Sequence, residues 1–469
     1  MSAGSTPETE AESAAAPTGI HQDVVPFRTA LRTWFAISWQ TFGGPAGQIA
    51  VMQRALVEDK RWIGQQRFNH ALSYCMVLPG PEAQQLAIYT GWLLNGTRGG
   101  LAAGTLFVLP GVLALLALSA LYVAFGGTAA VTGLFAGLAP AVVAVVAQAV
   151  WRVGRRSLTH PALVSLAVLS FIALALFALP FPLVIAAAGL AGWLLARYRP
   201  HAFHRSVGHD ADRGPAPLIS DASLHAEAPG GRRFVRILGT GLLLWGIPLV
   251  AVALLTGTGS VFTTQGVFFS GTALVTFGGA YAVLAYVAQQ AVTTYGWLAP
   301  GEMVRGLGLA ETTPGPLIMV VQFVAFLGAY RDPGGLDPWA AAVLGALLTT
   351  WVTFVPCFLF IFLGAPYIER LRGNRSISAG LTGITAAVVG VIANLGLYFA
   401  LHTLFADVDA GTWGPLHIQF PDLTTIRPTA LAITAAALLM IFKLRWSVLR
   451  TLGICAALGL ATVTVTALA

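Results

Sequence analysis

The chain has 469 residues, of which 56% are apolar and only 10% charged, and it carries a net charge of +7. A soluble domain has about a quarter of its residues charged, so water cannot be the solvent for most of this surface and lipid must be. The positive charge does not indicate nucleic acid, because Lys and Arg sit in short loops between apolar runs and form no basic face with interleaved aromatics.

In chain order, residues 1–25 are rich in Ala, Ser, Glu, Thr and Pro and predict a disordered cytoplasmic tail without the layout of a cleavable leader. A first repeat is expected over 26–200. Its first apolar stretch is interrupted by Phe42-Gly43-Gly44-Pro45, and the next by Pro79-Gly80-Pro81. Between them Arg54, Lys60, Arg61 and Arg67 read as a cytoplasmic anchor and Trp62 as an interface anchor. Spans start near Leu101, Gly133, Ala162 and Pro182, with Gly133-x-x-x-Gly137 as a packing motif and Gln148 as a polar intruder. Residues 201–234 carry Pro215, Pro217 and Pro229 and predict a linker; its His201, His204, His209 and His225 have no metal-ligand spacing. The second repeat, 235–469, opens with a span near Val235 and ends in extra C-terminal helices. It contains breaks at Thr276-Phe277-Gly278-Gly279 and Pro314-Gly315-Pro316, Trp297 as a second interface anchor, Asn394 within a span, and an acidic loop over Ala406 to Arg427. Cys75, Cys357 and Cys455 lie in apolar runs without paired spacing and read as buried thiols, neither disulfides nor metal ligands.

The two regions are copies of one another. Thr41-Phe42-Gly43-Gly44 recurs as Thr276-Phe277-Gly278-Gly279, Trp62-Ile63 as Trp297-Leu298, and Pro79-Gly80-Pro81 as Pro314-Gly315-Pro316, all at an offset of 235. Further on, Pro110 matches Pro356 and Ala147-Gln148 matches Ala393-Asn394 at an offset of 246, which fits an insertion near Arg331-Asp332-Pro333-Gly334-Gly335. Five spans separate the first Pro-Gly-Pro from the second Thr-Phe-Gly-Gly. An odd number turns the second copy upside down. The fold class expected is therefore an all-α polytopic membrane protein of two homologous halves in inverted topology, with about 13 hydrophobic segments. Arg152, Arg155, Arg156, Arg197 to Arg236, Arg370, Arg372, Arg375, Lys443, Arg445 and Arg450 fall on one side, which the positive-inside rule makes the cytoplasm. The amino terminus is then inside and the carboxyl terminus outside.

Proline and glycine at the breaks cost a helix about 3 and 1 kcal/mol, so these segments are either broken spans or re-entrant hairpins, surrounded by protein or a watery cavity. Interrupted helices at a repeat interface mark transport sites. A half-helix starting after such a break aims free N–H groups at an oxyanion. The candidate substrate contacts are Gly43, Gly44, Gln48, Ser73, Pro79, Gly80, Pro81, Gln84, Gln85, Gly278, Gly279, Thr312, Thr313, Pro314, Gly315 and Pro316. Glu82 and Glu311, costly inside a membrane, are candidates for proton coupling or charge pairing, as are His70 and Arg305 at equivalent repeat positions. No lysine follows a glycine-rich loop, and no His-Glu-x-x-His or Gly-x-Ser-x-Gly occurs, so no nucleotide, metal or cofactor site and no enzyme is expected.

Phe42-Gly43-Gly44-Pro45 through Arg61-Trp62-Ile63, with Leu78-Pro79-Gly80-Pro81-Glu82-Ala83-Gln84-Gln85-Leu86-Ala87, resembles the first-half signature of the chromate-ion transporter family. Thr276 to Leu284 and Gly308-Leu309-Ala310-Glu311-Thr312-Thr313-Pro314-Gly315-Pro316-Leu317 resemble the second, with Ala280 where many relatives have a third glycine. The resemblance covers nearly all of the chain from Phe27. It implies a long, two-domain secondary transporter of the bacterial inner membrane that exports chromate, driven by the membrane potential with proton antiport as an addition, and confers chromate resistance. Sulfate, a tetrahedral analogue, is implied as a competitor. A sulfate or other oxyanion permease is the alternative, and a membrane-embedded chromate reductase the weaker one. The lipid bilayer is the surrounding partner, and a second copy of the chain is the one protein partner left open.

Overall fold

The computed structural model describes residues 23–42, 44–76, 78–198, 217–219, 230–277, 280–364 and 375–468. Most of the expected tail, most of the linker with its four histidines, and Gly43, Gly278, Gly279, Arg370 and Arg372 lie outside these residues.

The fold is α-helical. The helices are α1 (Phe27–Ser38), α2 (Gly44–Gln53), α3 (Gln65–Cys75), α4 (Glu82–Phe125), α5 (Ala129–Ser157), α6 (Pro161–Ala175), α7 (Phe181–Tyr198) and α8 (Gly231–Thr256). The second repeat supplies α9 (Val261–Val275), α10 (Ala280–Gln289), α11 (Glu302–Thr312), α12 (Val320–Arg331), α13 (Pro338–Gly364) and α14 (Arg375–Leu404). Then come two strands, β1 (Val408–Trp413) and β2 (Leu416–Pro421), and helices α15 (Pro428–Leu438) and α16 (Val448–Leu468). Six of these, α4, α5, α7, α8, α13 and α14, are long and apolar enough to cross a bilayer, and α6, α9, α12, α15 and α16 are shorter apolar helices. Helix α8 starts at Gly231, so the last residues of the expected linker are helical. It buries no residue at all; Leu254 and Leu255 are 81% and 85% exposed, which only lipid can accommodate.

Helix α4 is two helices. Asn95 (φ −140°, ψ 28°) and Gly96 (φ 60°, ψ −153°) leave helical geometry. A side chain on Gly91 would collide with Gly99 and Ala103, and one on Gly104 with Ile88. Residues 12 apart on a straight helix are about 18 Å apart, so the chain folds back at Asn95-Gly96 with glycines at the crossing.

Hydrogen bonds fix which ends share a face. The Val24 amide donates to the Leu94 carbonyl at 3.0 Å, and Asn95 Nδ2 to the Val25 carbonyl at 2.5 Å. The Leu218 and Ile219 amides donate to the carbonyls of Arg61 (3.1 Å) and Trp62 (3.0 Å). Four crossings, the second part of α4 and then α5, α6 and α7, separate Asn95 from the linker. Residues 24–25, 61–64, 94–98 and 217–219 therefore lie on one face, here called the near face. The pairs α1/α2 and α3/first part of α4 both enter from that face and return to it, with tips at Thr41–Gly44 and Leu78–Pro81. A shared base fits paired broken spans and re-entrant hairpins alike; because these tips bond the tips of pairs from the second repeat, such as the Gly80 amide with the Thr276 carbonyl at 2.7 Å, the pairs are here termed re-entrant.

Single-crossing α8 then carries the chain to the far face, where α9/α10 and α11/α12 repeat the arrangement. Gln265 Nε2 on α9 donates to the Ala325 carbonyl at 3.1 Å, and Arg331 Nη1 at the end of α12 donates to the Trp297 carbonyl at 2.8 Å, so the bases of these two pairs lie together. The second set enters from the opposite side. Local detail repeats as well: both α2 and α10 end in a π-helical turn, Arg54–Asp59 and Gln290–Thr294, and both chains then pass through a left-handed residue, Arg61 (φ 50°) and Gly296 (φ 63°).

The packing motif of α5 meets α16: a side chain at Gly137 would strike the Cys455 backbone, and one at Gly459 the backbone of Gly133 and Gly137. Two tryptophans cross-link α8 and α13, Trp245 Nε1 donating to the Val352 carbonyl (3.1 Å) and Trp351 Nε1 to that of Leu244 (2.8 Å). The expected loop over Ala406 to Arg427 instead contains an antiparallel hairpin pairing Val408 with Pro421 through Trp413 with Leu416, turned at Gly414 (φ 59°). Trp62 and Trp297, expected at the lipid interface, are 7% and 6% exposed and belong to the protein interior; Trp297 stacks on Tyr295 at a centroid distance of 4.3 Å. Arg67 is also buried rather than anchored at the headgroups.

Candidate functional site

The four tips meet between the two halves, and they are tied crosswise. The Gly80 amide donates to the Thr276 carbonyl at 2.7 Å, and the Gly315 amide donates to the Thr41 carbonyl at 3.0 Å. Thr41 and Thr276 are repeat equivalents, as are Gly80 and Gly315, so one bond is the image of the other under a pseudo-two-fold axis. A second reciprocal contact follows. A Cβ on Gly80 would lie 2.8 Å from Cys357 Sγ, and one on Gly315 would lie 3.3 Å from Gly111 Cα; Gly111 and Cys357 match at the offset of 246. Each Pro-Gly-Pro therefore rests against the proline-bearing helix of the other half, α13 or α4. Both glycines are left-handed, φ 121° and 102°, which the flanking prolines cannot supply.

These bonds change the expected chemistry. The Gly80 and Gly315 amides hold the halves together and are not free for an anion. Ser73 is exposed and donates to the Asn69 carbonyl (2.9 Å), while Thr312 and Thr313 donate to the carbonyls of Leu309 (2.8 Å) and Ala310 (3.0 Å). A hydroxyl has one proton, and all three have turned it back onto their own helix. Each re-entrant pair also brings one helix C-terminus and one N-terminus to its tip, so the dipoles at the midplane are mixed in sign.

What remains is a set of carboxamides and one acid. Gln48 Nε2 donates to the Gly315 carbonyl at 2.6 Å and Gln85 Nε2 to the Pro79 carbonyl at 2.7 Å, each leaving a buried Oε1 without a protein partner. Gln84 is completely buried and neither atom of its amide has a protein partner. It sits in the first turn of α4, ahead of the first ladder bond from the Gln85 amide to the Pro81 carbonyl (3.1 Å). Glu311 is 1% exposed; Oε1 accepts from the Tyr281 hydroxyl and Oε2 has no protein partner. Tyr281 in turn lies at Gly44, its hydroxyl 3.9 Å from where a Cβ would stand on that left-handed first residue of α2. Gly44, Gln48, Tyr281, Glu311 and Gly315 thus form one polar group at the junction. Burying an unpartnered amide or carboxyl costs about 1–3 kcal/mol or more; of these atoms only Gln84 Nε2 is a donor that an oxyanion would repay, while the Oε1 atoms and Glu311 Oε2 are acceptors that a proton or a water would satisfy. The exposed Arg152 and Arg156 near the end of α5 act electrostatically on Glu311 and Glu82, respectively.

The remaining candidates are elsewhere. His70 is half-buried mid-way along α3. Arg305 lies in the first turn of α11, about 12 Å along the helix from the break; its Nη1 donates to the Tyr122 hydroxyl at 3.1 Å. That hydroxyl donates to Glu302 Oε1 (3.0 Å), which with Oε2 also receives both Arg331 nitrogens at 2.8 Å. Arg305 thus belongs to a far-face ionic network. Sequence reading missed Tyr281, Glu302, Arg331 and the two threonine carbonyls; Tyr281, two residues after the repeated glycines, carried a signal by its place in the motif. Among the described residues no group of His, Cys, Asp and Glu could hold a metal ion.

The Chromate transporter family model matches residues 28–193 and 263–460, both halves of the chain. The chain belongs to the chromate transporter family. It is 33% identical to the chromate transport protein of Pseudomonas aeruginosa over 75% of this chain and 76% of that one. It is 28% identical to the chromate transport protein of Cupriavidus metallidurans over 86% and 85% of the two chains. A probable chromate transport protein of Synechococcus elongatus is 26% identical over 75% of this chain and 79% of that one. No solved structure matches. The family is one of transporters, and the member described here is a multi-pass membrane protein.

Proposed function

We propose that the protein moves chromate out of the bacterial cytoplasm across the inner membrane, through the junction where the four re-entrant tips meet. The observation that carries this reading is the fully buried Gln84 amide, whose Nε2 donor has no protein partner in the first turn after the Pro79-Gly80-Pro81 break, in a chain whose relatives are named chromate transport proteins. The Gln84 amide suits a tetrahedral oxyanion because its Nε2 donates without the desolvation cost of a buried cation; Gln48 and Gln85 each keep one further Nε2 hydrogen beyond the bond they make. The near face is the cytoplasmic one, since Arg152, Arg155, Arg156, Arg197, Arg232, Arg233, Arg236, Lys443, Arg445 and Arg450 lie at helix ends on that side. The amino terminus is then inside and the carboxyl terminus outside.

Expelling a dianion against no other force gains about 4.6 kcal/mol per 100 mV of inside-negative potential, enough for roughly a thousandfold gradient. Export and resistance follow from voltage alone. Glu311, with Glu82 as the second candidate, is the group through which a proton would be coupled. Sulfate competes because it has the same shape and charge. Chemistry on the anion is not part of this reading, and the protein acts as a carrier rather than as an enzyme.

Energised everted vesicles containing the protein should accumulate chromate, with excess sulfate slowing the uptake. Accumulation in whole cells and rescue of a sulfate auxotroph would favour an uptake permease instead, and recovery of reduced chromium would favour a reductase.

A further inference from the structure

The two halves leave the same pair of backbone groups open at the bases of their re-entrant pairs and fill them differently. In the first half the Trp62 carbonyl accepts from the Ile219 amide at 3.0 Å, and the Gly64 amide donates to the Ile219 carbonyl at 3.2 Å. In the second, the Trp297 carbonyl accepts from Arg331 Nη1 at 2.8 Å, and the Ala299 amide donates to Glu302 Oε2 at 2.7 Å. Trp62 and Trp297 are repeat equivalents, and so are Gly64 and Ala299, each at the offset of 235. A peptide does on one face what an ion pair does on the other.

We propose that residues 61–64 form a docking edge for an extended apolar peptide, occupied by Leu218–Ile219 of the chain's own linker, and that this docked peptide is the near-face clamp corresponding to the Glu302–Arg331 clamp on the far face. The linker segment behaves as a strand adding to an edge. Ile63 and Ile219 form a parallel bridge, Leu218 points outward at 60% exposure, and Ile219 is buried at 7% within the first-half core beside α1, α3 and α4. Joining α7 to α8 requires no such contact. The edge is also held at a conformational cost: Arg61, whose carbonyl accepts from the Leu218 amide at 3.1 Å, is left-handed at φ 50°, where its equivalent is a glycine. Each clamp closes the loop joining two re-entrant pairs, on opposite faces of the same midplane junction. Releasing one loosens access from its own face and leaves the other closed; this consequence for flux rests on the transport reading, whereas the docking itself does not.

The test is amide hydrogen exchange on the full chain in nanodiscs, read at Gly64 and Ala299 as each other's control. In the unsubstituted protein both amides and that of Ile219 exchange slowly. Ile219→Ser should speed exchange at Gly64 by on the order of tenfold and leave Ala299 unchanged, while Glu302→Gln should do the reverse. Gly64 exchanging equally fast with and without the substitution overturns the proposal, and so does Glu302→Gln releasing both sites. Should Ile219→Ser unfold the protein and release both, the unsubstituted chain decides: Gly64 and Ile219 amides as fast as those of an unstructured peptide overturn the docking, and slow ones sustain it. Vesicle flux then separates the two readings. Protection changes without any chromate movement would sink the transport assignment and leave the clamp standing.

Discussion

Gly80 and Gly315, 235 positions apart, each give their amide to the threonine that opens the other half's first break, at 2.7 and 3.0 Å. The bonds cross the interface between the repeats and lie at the tips of segments that enter from opposite faces. Neither half can present its tip in this conformation alone. The segments that look weakest in sequence are thereby the ones that join the halves.

Alanine at either glycine should weaken this joint, and Gly80 should suffer more. Both are left-handed, which costs a non-glycine residue about 1–3 kcal/mol, and at Gly80 the new Cβ would also press on Cys357 Sγ at 2.8 Å and Gln85 Nε2 at 2.9 Å. Thermal unfolding in detergent should show a lower midpoint for Gly80→Ala than for Gly315→Ala. An equal or inverted order would mean that packing at α13 does not constrain the first tip.

Gln84→Leu separates binding from stability. Removing a buried amide without protein partners should leave the fold unchanged or about 1 kcal/mol more stable. If Gln84 contacts the oxyanion, chromate flux should fall about tenfold, the usual loss for one neutral hydrogen bond at a dry site. A stabilised protein with full flux would remove Gln84 from the site.

Glu311→Gln keeps an acceptor for the Tyr281 hydroxyl but cannot exchange a proton. Flux driven by voltage should persist, while any response to an imposed pH gradient should vanish; Glu82→Gln made in parallel identifies which acid matters. A pH response retained in both variants would assign the proton to neither. Tyr281→Phe should weaken the response without abolishing it, because it removes one donor to the carboxyl and leaves the acid in place.

Gly137→Val should destabilise the pairing of α5 with α16 by about 1–3 kcal/mol through overpacking. Protease access near Arg450 or the loss of a compact particle on size exclusion would report it. Unchanged stability would show that α16 is not held by this crossing.

Much of this architecture could be read from residues alone. The register kept through Thr41, Trp62 and Pro79 and their partners revealed the duplication, and the odd number of spans between copies gave the inversion, because glycine, proline and tryptophan hold positions that apolar residues drift through. The location of the junction was also legible, since Pro-Gly-Pro cannot continue a helix. The hydrogen-bond partners were not. The choice of Thr312 and Thr313 to bond their own helix, and of Gly80 to bond Thr276, depends on which tips come face to face, and sequence spacing does not encode that. Trp62 looked like an interface residue because tryptophan favours that zone; its burial comes from packing in the first-half core with residues distant in sequence, which spacing does not encode. The β-hairpin after α14 was hidden by its polar, acidic composition, although Gly414-Pro415 between Trp413 and Leu416 is a turn signal.

Helix α8 buries none of its residues, yet by crossing once it sets the orientation of the second repeat relative to the first. Its information content is parity, with the basic cluster Arg232, Arg233 and Arg236 at one end to fix its direction. Apolar substitutions at its lipid-facing positions, such as Leu254 and Leu255, should be almost silent, unlike changes at Gly241 and Trp245, which meet α13. Inserting a second crossing beside it, or deleting it, would deliver the later repeat right side up beside the earlier one, and the crossed threonine–glycine bonds could not form.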